Sequence, residues 1–248
     1  MPAEHLGPTA RALHHEAVAF GPRALRGVLA RPGHATGLVV FVQGSGSGRS
    51  SSLHRHTARC LQRAGLATLR VDLLSDAEAH DRTKAFDVEL LAERLGEVID
   101  WAGRRDDLAG LPLALLGVGT GASAAFLAAE RRPGQVAAVV SRSGRPDLAD
   151  GVLGGVHAPA LLLVGADDPV ALSLNRAACT RLPGEARLEL IRGPAEHGDE
   201  TVLPDRAARA AAAWLVSHLG PARGVYRGAE SRAFTRAMGR AQIQEQRR

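Results

Sequence analysis

The chain has 248 residues, 45% hydrophobic and 23% charged, a globular composition long enough to bury a full core unaided. It has no apolar run near the ~18 residues of a membrane span. Cys60 and Cys179 are the only cysteines, which excludes a disulfide framework and a four-cysteine zinc site. The net charge of +5 sits in residues 222–248, with seven arginines and two glutamates, leaving 24 basic and 24 acidic residues in the preceding 221, so the charge says nothing about a nucleic-acid partner for the body of the chain.

In chain order, His14–Phe20 and Ala24–Ala30 flank Gly21-Pro22 and predict a leading hairpin. Residues 37–43, GLVVFVQ, predict a strand buried on both faces. A helix over Ser51–Ala64 follows, capped by a serine, then a strand over Ala67–Asp72. Phe86, Leu90, Leu91, Leu95, Val98, Ile99 and Ala102 stand at helical spacing and predict one helix over Ala85–Ala102. Strands over Leu111–Leu116, Val136–Ser141, Ala160–Gly165 and Arg187–Ile191 alternate with helices over Gly121–Arg131, Val170–Arg181 and Asp205–Leu219. This alternation predicts a mostly parallel sheet covered by helices on both sides, with functional loops along the strand C-termini. Residues 1–221 read as one domain and 222–248 as an Arg-rich extension, solvated or a short helix. Arg232, Arg236 and Arg240 are spaced i, i+4, i+8 there. The first ten residues carry no basic segment followed by an apolar one, so no signal peptide is expected and the chain reads as cytoplasmic.

Four strand-end loops carry the chemistry. Gln43-Gly44-Ser45-Gly46-Ser47-Gly48 can turn backbone N–H groups into a site, but lacks the Gly-Lys-Ser/Thr of a phosphate loop and the spacing of a dinucleotide fingerprint. Gly117-Val118-Gly119-Thr120-Gly121 has the small residues that a nucleophile elbow needs around a strained strand-to-helix turn. Asp167 and Asp168 follow a later strand, and His197 follows the last. Elbow, acid and histidine occur in hydrolase order, with 49 and 29 residues between Gly119, Asp168 and His197.

The stretches FVQGSGSGRSS, RAGLATLRVDLLSDAEAHDR, PLALLGVGTGASAA, VVSRSGRPDLA, LLLVGADDPV and the His197 loop together resemble the dienelactone-hydrolase branch of the α/β-hydrolase superfamily over roughly residues 14–220. The resemblance implies the α/β-hydrolase fold, Asp168 as triad acid, His197 as general base and Gly44–Ser45 at the oxyanion loop. It also implies a small ester, lactone or related ligand, with no cofactor and no metal. Backbone N–H groups near Gly44, Ser45 and Thr120 would be the oxyanion donors.

Two positions depart from the family pattern. Gly119 stands where G-x-S-x-G places a serine, or cysteine, and Gln43 stands where related members usually carry histidine. A glycine forms no acyl-enzyme, and losing the serine of a Ser-His-Asp triad costs roughly 10⁶ in kcat. Ser123 is expected to pack inside a helix, and neither Ser141 nor Ser143 is a natural substitute. The readings are therefore a weakened or inactive hydrolase that keeps acid and base, or a non-catalytic ligand- or partner-binding module. Asp72, Asp81, Arg82, Arg142 and Arg145 are read as structural ion pairs, the arginines having the chemistry to meet an anionic ligand. His54 and His56 with Cys60 have no fourth ligand in the sequence and read as exposed polar positions, and both cysteines as core thiols.

Overall fold

Eight strands form one sheet in the order β1-β2-β4-β3-β5-β6-β7-β8 in the computed structural model, which describes residues 13–43, 51–192 and 202–220. β1 (Leu13–Phe20) and β2 (Leu25–Pro32) make the expected hairpin, and β2 continues antiparallel onto β4 (Ala67–Val71). From β4 onward every pairing is parallel, through β3 (Leu38–Gln43), β5 (Leu113–Val118), β6 (Val136–Arg142), β7 (Ala160–Gly165) and β8 (Ala186–Ile191). The helices are α1 (Ser52–Arg63), α2 (Arg82–Phe86), α3 (Val88–Gly103), α4 (Thr120–Arg131), α5 (Pro169–Arg181) and α6 (Val202–Leu219).

Burial on both faces follows from the apolar strand runs. In β3, Leu38, Val40 and Val42 join Leu91, Leu95, Val98 and Phe126 of α3 and α4 on one face. Val39 and Phe41 point the other way, to Ala58 and Leu61 of α1 and Ala211, Trp214 and Leu215 of α6. The period of two in a strand makes this division automatic once the run is apolar throughout.

The chain leaves β3 toward β4 but leaves β5 toward β6, on opposite sides. The C-terminal ends of β3 and β5 therefore flank a topological switch point, where open α/β sheets form their ligand crevice. Gln43 pairs in register with Val118 at that edge.

Three expectations need correction. The single helix over Ala85–Ala102 is two, because Asp87 Oδ1 accepts the Leu90 N–H at 2.9 Å and caps a new helix. Phe86 consequently leaves the apolar stripe and is 55% exposed. His54 is not an exposed polar position but is 2% exposed, its ring 5.3 Å from that of Phe41. Both cysteines are half-buried thiols rather than core ones. Residues 146–155, for which no element was expected, form 3-10 turns opened by Pro146. The extension over 222–248 lies outside the described residues.

Candidate functional site at the strand C-termini

β5 passes into α4 through Gly119, at φ +58° and ψ −125°. An L-residue held in such a sparsely populated region costs of order 1–3 kcal/mol, and this is the strained turn that lifts an elbow residue above the sheet. Close packing on either side enforces it. A Cβ at Gly117 would stand 2.4 Å from Ala122 Cα, and one at Gly121 only 2.3 Å from the Val42 carbonyl oxygen. At Gly119 itself nothing described lies within 4 Å of an added Cβ. The apex is pinned from β6: the Gly119 N–H donates to Arg142 O at 3.4 Å, and Gly119 O accepts from Ala122 and Arg145 N–H, both at 3.2 Å.

The neighbours of the apex are structurally committed. Thr120 Oγ1 donates to Ala85 O at 3.1 Å, so its hydroxyl turns to α2, while its amide stands in the first turn of α4, where N–H groups lack intrahelical acceptors. Ser123 Oγ donates to Arg145 O and is fully buried, as expected. Ser141 is also fully buried, its Oγ without a hydrogen-bond partner among the described residues. Ser143 takes φ +43° and donates its N–H to Leu163 O at 2.8 Å.

Asp168 lies at the same edge, after β7, two strands from β5, which at strand spacing is about 10 Å. It is exposed and caps α5, its Oδ1 accepting the Ala171 N–H at 2.8 Å; Asp167 beside it is exposed too. β8 runs parallel to β7 and ends at Ile191 on this edge, and His197 follows it in the sequence. His197, Gly44 and Ser45 themselves lie outside the described residues. The structure thus brings Gly119, Thr120, Gln43 and Asp168 to one edge of the sheet. A cavity of about 590 Å³ lined by Leu38, Ile99, Pro112 and Gly134 lies at the opposite end of β3 and β5.

Arg142 is a charged group at this edge whose burial no local sequence pattern announces. It ends β6 beside Val118, is half-buried, and has no carboxylate partner among the described residues. Burial depresses its pKa, because desolvation penalises the cation. Arg145, by contrast, pairs with Asp147 through two contacts of 2.9 and 2.7 Å, the expected structural ion pair. Asp81 caps α2 by accepting the Thr83 N–H at 2.9 Å. Three metal-ligating side chains come together, among the described residues, only between α1 and α6, not at this edge. No described helix is long and apolar enough to cross a membrane.

No family model matches the chain. A crystal structure of a dienelactone hydrolase from Anabaena variabilis is similar at 39% identity, with a TM-score of 0.78, over 84% of this chain and 98% of that one. An esterase from an Arctic intertidal metagenomic library shares the fold at 13% identity and a TM-score of 0.65, over 86% and 96% of the two chains. Two curated proteins from strains of Mycobacterium tuberculosis, provisionally named phosphoribosyl transferases, are 44% identical over 205 residues, 82% of this chain and 46% of theirs. The chain therefore spans about half the length of these curated relatives. The mostly parallel sheet, the elbow turn and the near-complete coverage of the Anabaena enzyme lead to one conclusion: the chain belongs to the dienelactone hydrolase family.

Proposed function

We propose that this chain is a scaffold for small ester or lactone ligands that keeps the acid and base of a hydrolase but has lost the nucleophile, so that hydrolysis is slow and uses water in place of an acyl-enzyme. The observation that carries this reading is the backbone of Gly119: an elbow conformation, no described atom within 4 Å of where its Cβ would stand, and no side chain to attack. His197 takes a proton from a water over Gly119, the resulting hydroxide adds to the ligand carbonyl, and the leaving alkoxide recovers that proton. Asp168 orients the ring, while amides of Gly44, Ser45 and Thr120 hold the oxyanion. Without a covalent intermediate the barrier is no longer split in two; the oxyanion site and binding alone leave a residual acceleration of ~10³–10⁴ over water.

A ligand-binding role without turnover is the second reading, favoured by one observation. Asp168 caps α5, which by itself accounts for an aspartate there. The mycobacterial relatives carry a transferase name, and this chain matches only 46% of their length, so that name is not carried over to it.

The test is 4-nitrophenyl acetate hydrolysis by the full chain under pre-steady-state conditions. The water route gives a linear trace with no burst, abolished by His197→Ala. A burst stoichiometric with protein would reveal another nucleophile and overturn the reading. A rate equal to buffer, with ester still protecting the protein thermally, would favour the binding role.

A further inference from the structure

α1 and α6 lie side by side on the sheet face opposite α3 and α4. His56 and Cys60 are four residues apart on α1, hence on one face of the helix. Asp205 approaches them from α6. The distance from His56 Nε2 to Asp205 Oδ1 is 3.3 Å, and from His56 Nε2 to Cys60 Sγ 3.9 Å. All three donor atoms lie within 4.8 Å of one another, on half-buried residues. A tetrahedral zinc ion, with bonds of ~2.0–2.3 Å, holds its donors roughly 3.3–3.8 Å apart. The imidazole and carboxylate already have that separation; the thiol stands 3.9 Å from the imidazole and within 4.8 Å of the carboxylate, so it must move inward to complete the set.

From this cluster we infer that His56, Cys60 and Asp205 form a zinc-binding site with a fourth position left for water. A thiolate, an imidazole and one carboxylate suit a borderline-soft ion, and not Mg²⁺ or Ca²⁺, which take oxygen donors. The site has an outer partner as well. Arg209, one turn along α6, holds Asp205 through Oδ2 and leaves Oδ1 facing His56, the kind of support that fixes a ligand carboxylate. Binding releases the thiol proton to solvent, so the ion meets a thiolate and charge balances. α1 follows the Gly/Ser-rich segment over 44–51, and α6 follows the segment with His197. An ion between them staples together the two helices that follow these segments in the sequence.

The experiment uses the full chain, reduced and metal-free. Co²⁺ is titrated while thiolate-to-cobalt charge-transfer absorption is followed, Zn²⁺ then competes, and melting is recorded with and without one equivalent of Zn²⁺. The expected result is one equivalent bound, a charge-transfer band lost in Cys60→Ser and kept in Cys179→Ser, and affinity at least tenfold weaker in Asp205→Asn. Zinc should raise the melting temperature of the native chain and not that of Cys60→Ser. Circular dichroism of the variants separates loss of the site from loss of the fold. Absence of the band in the folded native chain, or a band unchanged in both His56→Ala and Asp205→Asn, overturns the assignment.

Discussion

Gly119→Ser separates two consequences of the elbow that are usually fused, its strain and its chemistry. The glycine sits at φ +58°, where a side chain costs of order 1–3 kcal/mol. No collision adds to this, since nothing described lies within 4 Å of the new Cβ. At roughly 2–4 °C per kcal/mol for a domain of this size, the variant should melt several degrees below the native chain. Gly119→Ala should show the same drop, because the backbone penalty does not depend on the hydroxyl. Activity behaves differently. Loss of the serine from an intact triad costs about 10⁶ in kcat, or ~8 kcal/mol of barrier, so restoring it should raise 4-nitrophenyl acetate turnover by at least about a hundredfold even with imperfect alignment, with an acyl burst that Gly119→Ala lacks. If both variants fold and melt alike while the serine form is no faster than the alanine form, Asp168 and His197 do not serve this apex and the retained-machinery reading fails. If neither variant loses stability, the strain argument is the part that fails.

Other expectations concern the frame around the apex. Gly121→Ala drives a methyl to 2.3 Å from the Val42 carbonyl, which must push β3 from α4; overpacking of this kind costs about 1–3 kcal/mol or more, visible as a lower urea midpoint. Arg94 donates to both oxygens of Glu78 at 2.8 Å, with side chains 3% and 18% exposed. Glu78→Gln should cost about 3–5 kcal/mol by stranding a buried guanidinium. The same contact, followed by the Ser75 N–H, holds the Glu78 carboxyl well below the ordinary range. Its stabilisation is therefore complete above the unfolded value of ~4.3 and lost as pH falls below it toward the folded value. Urea midpoints measured from pH 6 to pH 3 should fall less steeply in Glu78→Gln than in the native chain; equal slopes would refute the linkage. Arg142→Met removes a desolvated cation that has no acidic partner among the described residues, so it should leave stability unchanged or raise it. In the Gly119→Ser background it should raise KM for an anionic ester and not for a neutral one of the same size.

What could be read from the sequence was what short-range physics dictates. The run at 37–43 is apolar without alternation, and β3 is accordingly buried on both faces. Glycines at 117, 119 and 121 announced the elbow because a tight strand-to-helix joint excludes side chains on either flank, which is what the 2.4 Å and 2.3 Å approaches express. Apolar periodicity that continues across it hides the break at Asp87, although an aspartate three residues before Leu90 is a capping signal. The same periodicity puts Phe86 on the buried stripe, from which the cap at Asp87 releases it. His54 and the partners of His56 were illegible for another reason. Their environments are made by β3 and by α6, some 150 residues further along the chain, and no local pattern encodes which helix will pack beside α1.

The elbow's persistence also needs an explanation that does not presuppose catalysis. Gly117 and Gly121 bring α4 against β3 and β5, and α4 contributes Ala124, Ala125, Phe126 and Ala128 to the core. Replacing either glycine disturbs that packing whether or not an ester is ever cleaved. Glycine at the apex, in contrast, relieves backbone strain at the one position where an active hydrolase must tolerate it. On the proposed reading, stability alone favours glycine at 119, while the packing at Gly117 and Gly121 holds the turn around it. A slow hydrolase and a binding protein share the shape of the elbow; the proposed pairing of Asp168 with His197 is what separates them. An N-cap at α5 is served about equally by aspartate or asparagine and needs nothing from residue 197. Asp168→Asn should therefore leave the melting temperature nearly unchanged, while in the Gly119→Ser background it should cost several orders of magnitude in turnover, as expected of an acid that sets the histidine tautomer.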